Sequence, residues 1–205
     1  MKKIITIGRE LGSGGRTIGK MVANKLGIPY YDHELIDAAV EKSGLSTAFV
    51  ETTEQKVTSS LLYNLAMGTA YGYGILKDAD KQTLPLSEQV YVAQKEAIKG
   101  FAEKGSCVIV GRCADHILSD RDDVLRVFVY ADKKKRAERC VNEYGISQNS
   151  ALKQIERSDK ERARHYNCFT EKTWGERINY DLLLNSGELG LESCAKIICS
   201  TANEN

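Results

Sequence analysis

The strongest constraint on the fold is the start of the chain, where an apolar run breaks into glycines and then into a helical pattern. Residues 4–8 read as a buried strand, Gly12-Ser13-Gly14-Gly15 as a turn, and the residues from Arg16 onward as a helix. Glycines at 12, 14 and 15 allow positive φ angles that turn backbone amides inward. The positive end of the helix dipole lies at the same point. The sequence therefore predicts an oligophosphate-binding loop.

The loop departs from the strict P-loop consensus, Gly-x4-Gly-Lys-[Ser/Thr]. Aligned on Gly15-Arg16-Thr17, it has Glu10 at the first glycine and Arg16 at the lysine. Arginine is cationic and forks onto phosphate oxygens, although it is longer and planar. We expect Arg16 to neutralise phosphate charge and Thr17 to be a Mg²⁺ ligand. The alternative is an ordinary glycine turn that binds nothing.

A dinucleotide is the competing ligand. Gly12-x-Gly14 is followed twenty residues later by Asp32, as in a Rossmann fingerprint whose acid binds a ribose hydroxyl. The third glycine of that fingerprint would fall at position 17, which is a threonine, and Arg16 has no role in it.

Composition narrows the class of protein. The 205 residues are 42% hydrophobic, enough for one domain, and the net charge of +1 gives no field that would attract nucleic acid or a membrane surface. No leading apolar run has the length of a signal peptide or a membrane span, so a cytoplasmic location is expected. Six cysteines without C-x2-C spacing and three dispersed histidines predict free thiols and no metal cluster.

Apolar strands alternate with helices along the chain. Strands are predicted at 4–7, 28–31, 106–111, 125–130 and 180–185, with helices at about 15–26 and 86–104. Continuous apolar strands separated by helices indicate a parallel five-stranded sheet with helices on both faces. Two segments stand apart: a helical region at 33–85, with a loop or hinge at 68–74, and a polar region at 147–177.

The polar region carries Arg157, Asp159, Arg162 and Arg164. A helix would place the arginines near one side. Either an anion-binding lid or a solvated helix face is consistent with this pattern.

Motifs in order along the chain point to one family. They are the glycine loop, Gly27-Ile28-Pro29-Tyr30-Tyr31-Asp32, Val108-Ile109-Val110-Gly111-Arg112, Val127-Phe128-Val129-Tyr130-Ala131-Asp132 and Tyr180-Asp181-Leu182-Leu183-Leu184-Asn185. Over its whole length the chain resembles the cytidylate kinase-like family of P-loop proteins. The resemblance implies a three-layer α/β P-loop NTPase fold with a core at 1–32, 86–146 and 178–205, an inserted acceptor-binding region at 33–85 and a lid at 147–177.

The resemblance also implies a function, namely ATP- and Mg²⁺-dependent phosphoryl transfer to a nucleoside monophosphate. The acceptors that it favours are CMP and dCMP. Residues Gly12 through Thr17 would hold the donor phosphates, and Arg112 would face the acceptor's phosphate. The residues that would close over the transferring group are Arg157, Arg162, Arg164 and Asp159. Arg136 or Arg139 would lie against the donor's base or on an exposed helix face.

Two departures from cytidylate kinases leave alternatives open. Val110 replaces an Asp before the Gly-Arg turn, and 35–39 lacks an Arg that binds the acceptor. Either Asp32, on the substrate-binding side, or Asp115 would replace the missing acid. The alternative for each is a helix cap or a surface charge. The rivals are a kinase for another small metabolite and a non-catalytic nucleotide sensor.

Overall fold

A computed structural model describes residues 2–32 and 86–204. Its strands are β1 (Ile4–Arg9), β2 (Tyr30–Tyr31), β3 (Cys107–Val110), β4 (Val124–Tyr130) and β5 (Leu182–Asn185). Its α-helices are α1 (Gly15–Leu26), α2 (Leu86–Glu103), α3 (Ala114–Ile117), α4 (Lys133–Tyr144), α5 (Gln148–Thr170), α6 (Ser186–Leu189) and α7 (Leu191–Glu204), with a 3-10 turn at Arg177–Asn179. The predicted acceptor-binding region at 33–85, with its hinge at 68–74, lies outside the described residues.

The five strands form one parallel sheet in the order β2-β3-β1-β4-β5. The first strand is central, so that Ile4 lies opposite both Cys107 and Val124. All carboxyl ends therefore meet at one edge, where open α/β sheets bind their ligands. The predicted five-stranded parallel sheet is confirmed.

Helices cover both faces because the strands are apolar on both. On one face, Ile5 and Ile7 pack with Ile18 of α1 and Ile198 of α7. On the other face, Ile4 packs with Ile98 of α2. The three-layer α/β arrangement predicted from the sequence is therefore present.

The predicted ends of helices and strands agree with the structure where a glycine marks them. The first helix covers Gly15–Leu26 and ends at Gly27, whose φ of 63° is the left-handed cap typical of glycine. The second and fifth strands are shorter than predicted and begin at Tyr30 and Leu182. Asp181 precedes the last strand, and its carboxylate accepts a hydrogen bond from the Arg126 amide at 2.7 Å.

The region predicted as a lid is one continuous helix, α5, followed by the 3-10 turn. Near its start Ala151 and Ile155 are buried against Cys140 of α4. Near its end Tyr166 is buried in the core on the α2 side of the sheet. The helix is thus packed at both ends, and its movement as a lid stays a prediction.

All six cysteines are free thiols, as predicted. No helix within the described ranges has the length and apolar character needed to cross a membrane.

Candidate active site

A cavity of about 820 Å³ opens at the carboxyl ends of β1 and β3. Its walls come from the end of β1, the glycine loop and the start of α1, together with the turn at 111–113 and the middle of α5. The residues that line it include Arg9, Gly12, Gly14, Gly15, Arg16, Thr17, Lys20, Arg112, Asp115, Arg162, His165, Tyr166, Trp174 and Tyr180.

The glycine loop turns at two positions with left-handed backbone. Gly12 has a φ of 76° and Gly14 a φ of 78°. Residues that carry a side chain rarely adopt such positive φ angles, and the sequence predicted them at both glycines. The same expectation for Gly15 is wrong, because that residue is the first of α1 and has no positive φ. Gly15 is needed for space instead, since a Cβ there would lie 2.6 Å from the Cβ of Arg9.

A buried ion pair supports the loop from behind. The Leu11 amide donates to Asp159 Oδ1 at 2.8 Å, and Arg136 Nη1 donates to Asp159 Oδ2 at 2.5 Å and to the Leu11 carbonyl at 3.2 Å. The Arg136 side chain is 4% exposed. Arg136 was predicted to lie either against the donor's base or on an exposed helix face. Both predictions are wrong, because its side chain is buried and held by Asp159.

Glu10 and Arg139 complete this support. Glu10 occupies the first glycine position of the consensus, and its Oε2 accepts from the Ala131 amide at 3.1 Å and lies 3.3 Å from Arg136 Nε. Arg139 Nη1 donates to the Gly12 carbonyl at 2.6 Å. The carboxylate in place of glycine thus ties the loop to the end of β4 and to α4.

Arg16 reaches from α1 to the end of β2. Its Nη2 lies 2.8 Å from Asp32 Oδ2, and the Tyr30 hydroxyl is 3.4 Å from the same oxygen. The Arg16 side chain is 40% exposed, against 6% for Asp32. An Asp32 that pairs with a cation is a poor match for a ribose-binding acid, which disfavours the dinucleotide alternative.

The opposite side of the cavity carries further guanidinium groups. Arg162 Nη1 donates to the Arg9 carbonyl at 3.2 Å and is 3.9 Å from Asp159 Oδ1. Burial lowers the pKa of Arg162, and the Arg112 charge lowers that pKa as well. An anion in the cavity would stabilise these cations.

A buried acid faces the cavity beyond the Gly-Arg turn. The Tyr166 hydroxyl donates to Asp115 Oδ2 at 2.7 Å. Burial raises the pKa of Asp115, and this hydrogen bond opposes the rise. Tyr180 lies close by, and burial followed by the Asp115 charge raises the pKa of its hydroxyl.

The structure brings only part of the predicted site together. Of the predicted residues, those that line the cavity are Gly12, Gly14, Gly15, Arg16, Thr17, Arg112 and Arg162. Ser13 is buried and its hydroxyl donates to the Glu10 carbonyl at 2.9 Å, whereas Asp159 lies behind the loop. Arg157 is 73% exposed and pairs with Glu161, and Arg164 is exposed outside the cavity lining.

Arg9 and Lys20 are cationic cavity residues that the sequence reasoning missed. A signal for Arg9 was available, because it follows a buried strand at its carboxyl end, as Arg112 does. Lys20 comes one helical turn after Arg16. No comparable signal marks His165 or Trp174.

The residue predicted to bind Mg²⁺ lies in the cavity. Thr17 lines the cavity at the start of α1. No group of three or more His, Cys, Asp or Glu residues suited to a metal occurs among the residues described. A single hydroxyl together with substrate phosphates and water fits Mg²⁺, which keeps several waters and takes few protein ligands.

Fold and site together define the class as an α/β protein of the P-loop kinase type. The shikimate kinase of Bacteroides thetaiotaomicron has a TM-score of 0.56 and 15% identity over 99% of both chains. The shikimate kinase of Acinetobacter baumannii, solved with shikimate, has a TM-score of 0.54 and 12% identity over 100% of this chain and 94% of its own. Identities this low show the fold alone.

Within that class, the chain belongs to the cytidylate kinase-like family, whose sequence profile matches residues 4–188. The crystal structure of an uncharacterized protein from Eubacterium ventriosum is 26% identical, with a TM-score of 0.72 and full coverage of both chains. No curated protein matches the sequence significantly.

Proposed function

We propose that the protein transfers the γ-phosphoryl group of ATP to a nucleoside monophosphate, with CMP and dCMP as the first candidates. The observation that carries this proposal is the charge of the cavity above the glycine loop. Among its described lining residues, five are Lys or Arg and three are Asp or Glu. Two phosphorylated substrates would match this excess of cations.

The donor would bind at the glycine loop. Backbone amides of the loop and the start of α1 face phosphate oxygens in loops of this kind. Thr17 would hold Mg²⁺, which would supply neutralisation of the donor's phosphate charge. Arg16 would contribute a second cation there, with Asp32 fixing its position through their ion pair.

The acceptor would bind beside the Gly-Arg turn. Arg112 follows β3 and would hold the acceptor's phosphate, while Arg162 would neutralise charge on the group in transfer. A phosphate acceptor is already anionic, so positioning and electrostatics suffice without a general base. We assign Asp159 to positioning the loop, since its contacts are to Leu11 and Arg136. Arg157 and Arg164 would reach the phosphates only if α5 moved.

One observation favours a second candidate, a kinase for a hydroxylated small metabolite. A hydroxyl acceptor benefits from a base that removes its proton. Asp115 lines the cavity, and burial raises its pKa, which makes its carboxylate a stronger base. A non-catalytic sensor is the third possibility.

The test is an ADP-release assay with an acceptor panel of CMP, dCMP, UMP, AMP, GMP and hydroxylated metabolites including shikimate. ADP release is expected only with a nucleoside monophosphate. Arg112→Ala should raise the acceptor KM by about tenfold or more, the cost of a lost charge-assisted contact, and change ATP affinity less. Release only with hydroxylated acceptors supports the second candidate, and ATP binding without release supports the sensor.

A further inference from the structure

Arg9 is a cavity residue that the function proposed above leaves unused. It is the last residue of β1, immediately before the glycine loop, and it lines the same cavity as Arg16, Arg112 and Arg162. Its backbone carbonyl accepts the Arg162 hydrogen bond, so its own position is tied to α5. The side chain thus lies between the donor loop and the turn that follows β3.

Two glycines leave the space that the Arg9 side chain occupies. A Cβ on Gly15, in the donor loop, would lie 2.6 Å from the Arg9 Cβ and 3.0 Å from its Cγ. A Cβ on Gly111, which has a φ of 83°, would overlap Arg9 Nη1 and lie 2.9 Å from Cζ. The guanidinium is therefore packed directly on the backbone of the turn on the acceptor side.

The surroundings of Arg9 disfavour its positive charge. The Arg9 Nε is buried, and no group of the described residues forms a hydrogen bond with it. Burial, followed by the charges of Arg162 and Arg112, lowers the pKa of Arg9 to about 9. A buried cation among like charges is costly unless an anion compensates it.

We propose that Arg9 binds the phosphoryl group in transfer, contacting the γ-phosphate of the donor where the glycine loop meets the Gly111 turn. The assignment of that phosphate rests on the proposed function. Binding of a phosphate anion by Arg9 rests only on the cavity, the two glycines and the guanidinium cluster. A purely structural arginine would instead be expected to have its N–H groups satisfied by the protein.

The test compares Arg9→Gln and Arg9→Lys with the wild type. Isothermal titration calorimetry measures affinity for ADP and for an imido analogue of ATP that keeps a γ-phosphate. The melting temperature is measured with and without each ligand. Arg177→Gln is the matched control, since Arg177 is exposed and outside the cavity lining.

We expect Arg9→Gln to lower the affinity for the ATP analogue by about tenfold or more, and the affinity for ADP by less than about threefold. The ligand-free melting temperature should stay level or rise, because an uncompensated cation is removed. Arg9→Lys keeps the charge without the fork and serves as the second variant if Arg9→Gln does not fold; it should still lose several-fold in affinity for the analogue.

Equal losses for both ligands, or unchanged affinity for the analogue, would overturn the role of Arg9. A lower melting temperature with unchanged ligand affinity would make Arg9 structural. Failure of the proposed function is recognised separately. If the wild type binds the ATP analogue but releases no ADP with any acceptor, the protein is not a kinase for those acceptors. The affinities of the Arg9 variants still decide whether Arg9 binds the γ-phosphate.

Discussion

At the scale of single residues, Arg16 differs most from the consensus it replaces. A lysine is shorter and carries a point charge, whereas the arginine fork reaches Asp32 at 2.8 Å while it still lines the cavity. Arg16→Ala should lower turnover by about 10²-fold or more, the scale for loss of one preorganised electrostatic contact. Steady-state measurement of kcat at saturating ATP and acceptor checks this.

Two comparisons make the Arg16 result specific. Arg16→Lys should recover turnover only in part, because lysine offers no fork. Lys25→Ala, on the same helix and paired with exposed Glu192, should leave turnover within about twofold of the wild type. If Arg16→Ala left turnover intact, the donor cradle would consist of the backbone amides of the loop without this cation.

Asp115 should give the stability of the protein a distinctive pH dependence. Burial raises the folded-state pKa of this carboxyl above its unfolded value, so the native state binds more protons. The contribution of Asp115 is therefore most favourable below about pH 4 and falls as the pH rises toward its raised pKa.

Asp115→Asn keeps an oxygen that accepts from the Tyr166 hydroxyl but removes the titration. The free energy of unfolding of Asp115→Asn, relative to that of the wild type, should therefore increase as the pH is raised above about 4. Urea titrations from pH 4 to 8 measure this difference. A difference that stayed constant with pH would mean that the carboxyl is ionised in the native state as readily as in the unfolded chain.

At the scale of elements, the pairing of α4 with α5 determines the shape of the glycine loop. Asp159 on α5 and Arg136 on α4 meet over the Leu11 backbone. Removing one member of a buried pair leaves the other charge uncompensated. Asp159→Ala should lower the free energy of unfolding by about 3 kcal/mol, measured by urea denaturation.

The control for Asp159 lies one turn earlier on the same helix. Glu156 pairs with Lys133 of α4 at 2.9 Å, but both side chains are more than 60% exposed. Glu156→Gln should therefore change stability by less than about 1 kcal/mol. Similar losses for Asp159→Ala and Glu156→Gln would show that the Arg136 pair is not the interaction that fixes the loop.

At the scale of the whole molecule, the sheet was predictable because each strand is a compact apolar run. The first helix was predicted at about 15–26 and covers Gly15–Leu26, since Gly27 ends it. The second and fifth strands were overestimated at their starts, because Pro29 has no amide to donate to the ladder and the Asp181 side chain takes the Arg126 amide that a regular ladder would use.

The site was less predictable, because its contacts cross large distances along the chain. The sequence placed Arg112 at a strand end, and the same rule applied to Arg9 would have found it. No local pattern distinguishes Arg162, which reaches Arg9, from Arg157, which points to solvent and pairs with Glu161. That difference depends on how α5 is rotated against α4, and a charge pattern alone does not determine this rotation.

The central position of β1 has a consequence for biosynthesis. The strand that carries the glycine loop ends at Arg9, whereas its two neighbours begin at Cys107 and Val124. During translation this isoleucine-rich segment therefore remains unpaired until the first of those neighbours, β3, has been made. Pairing then closes long loops, which is entropically costly and slow. We therefore expect nascent chains to expose this strand, and the glycine loop that follows it to become ordered only after β3 has been made.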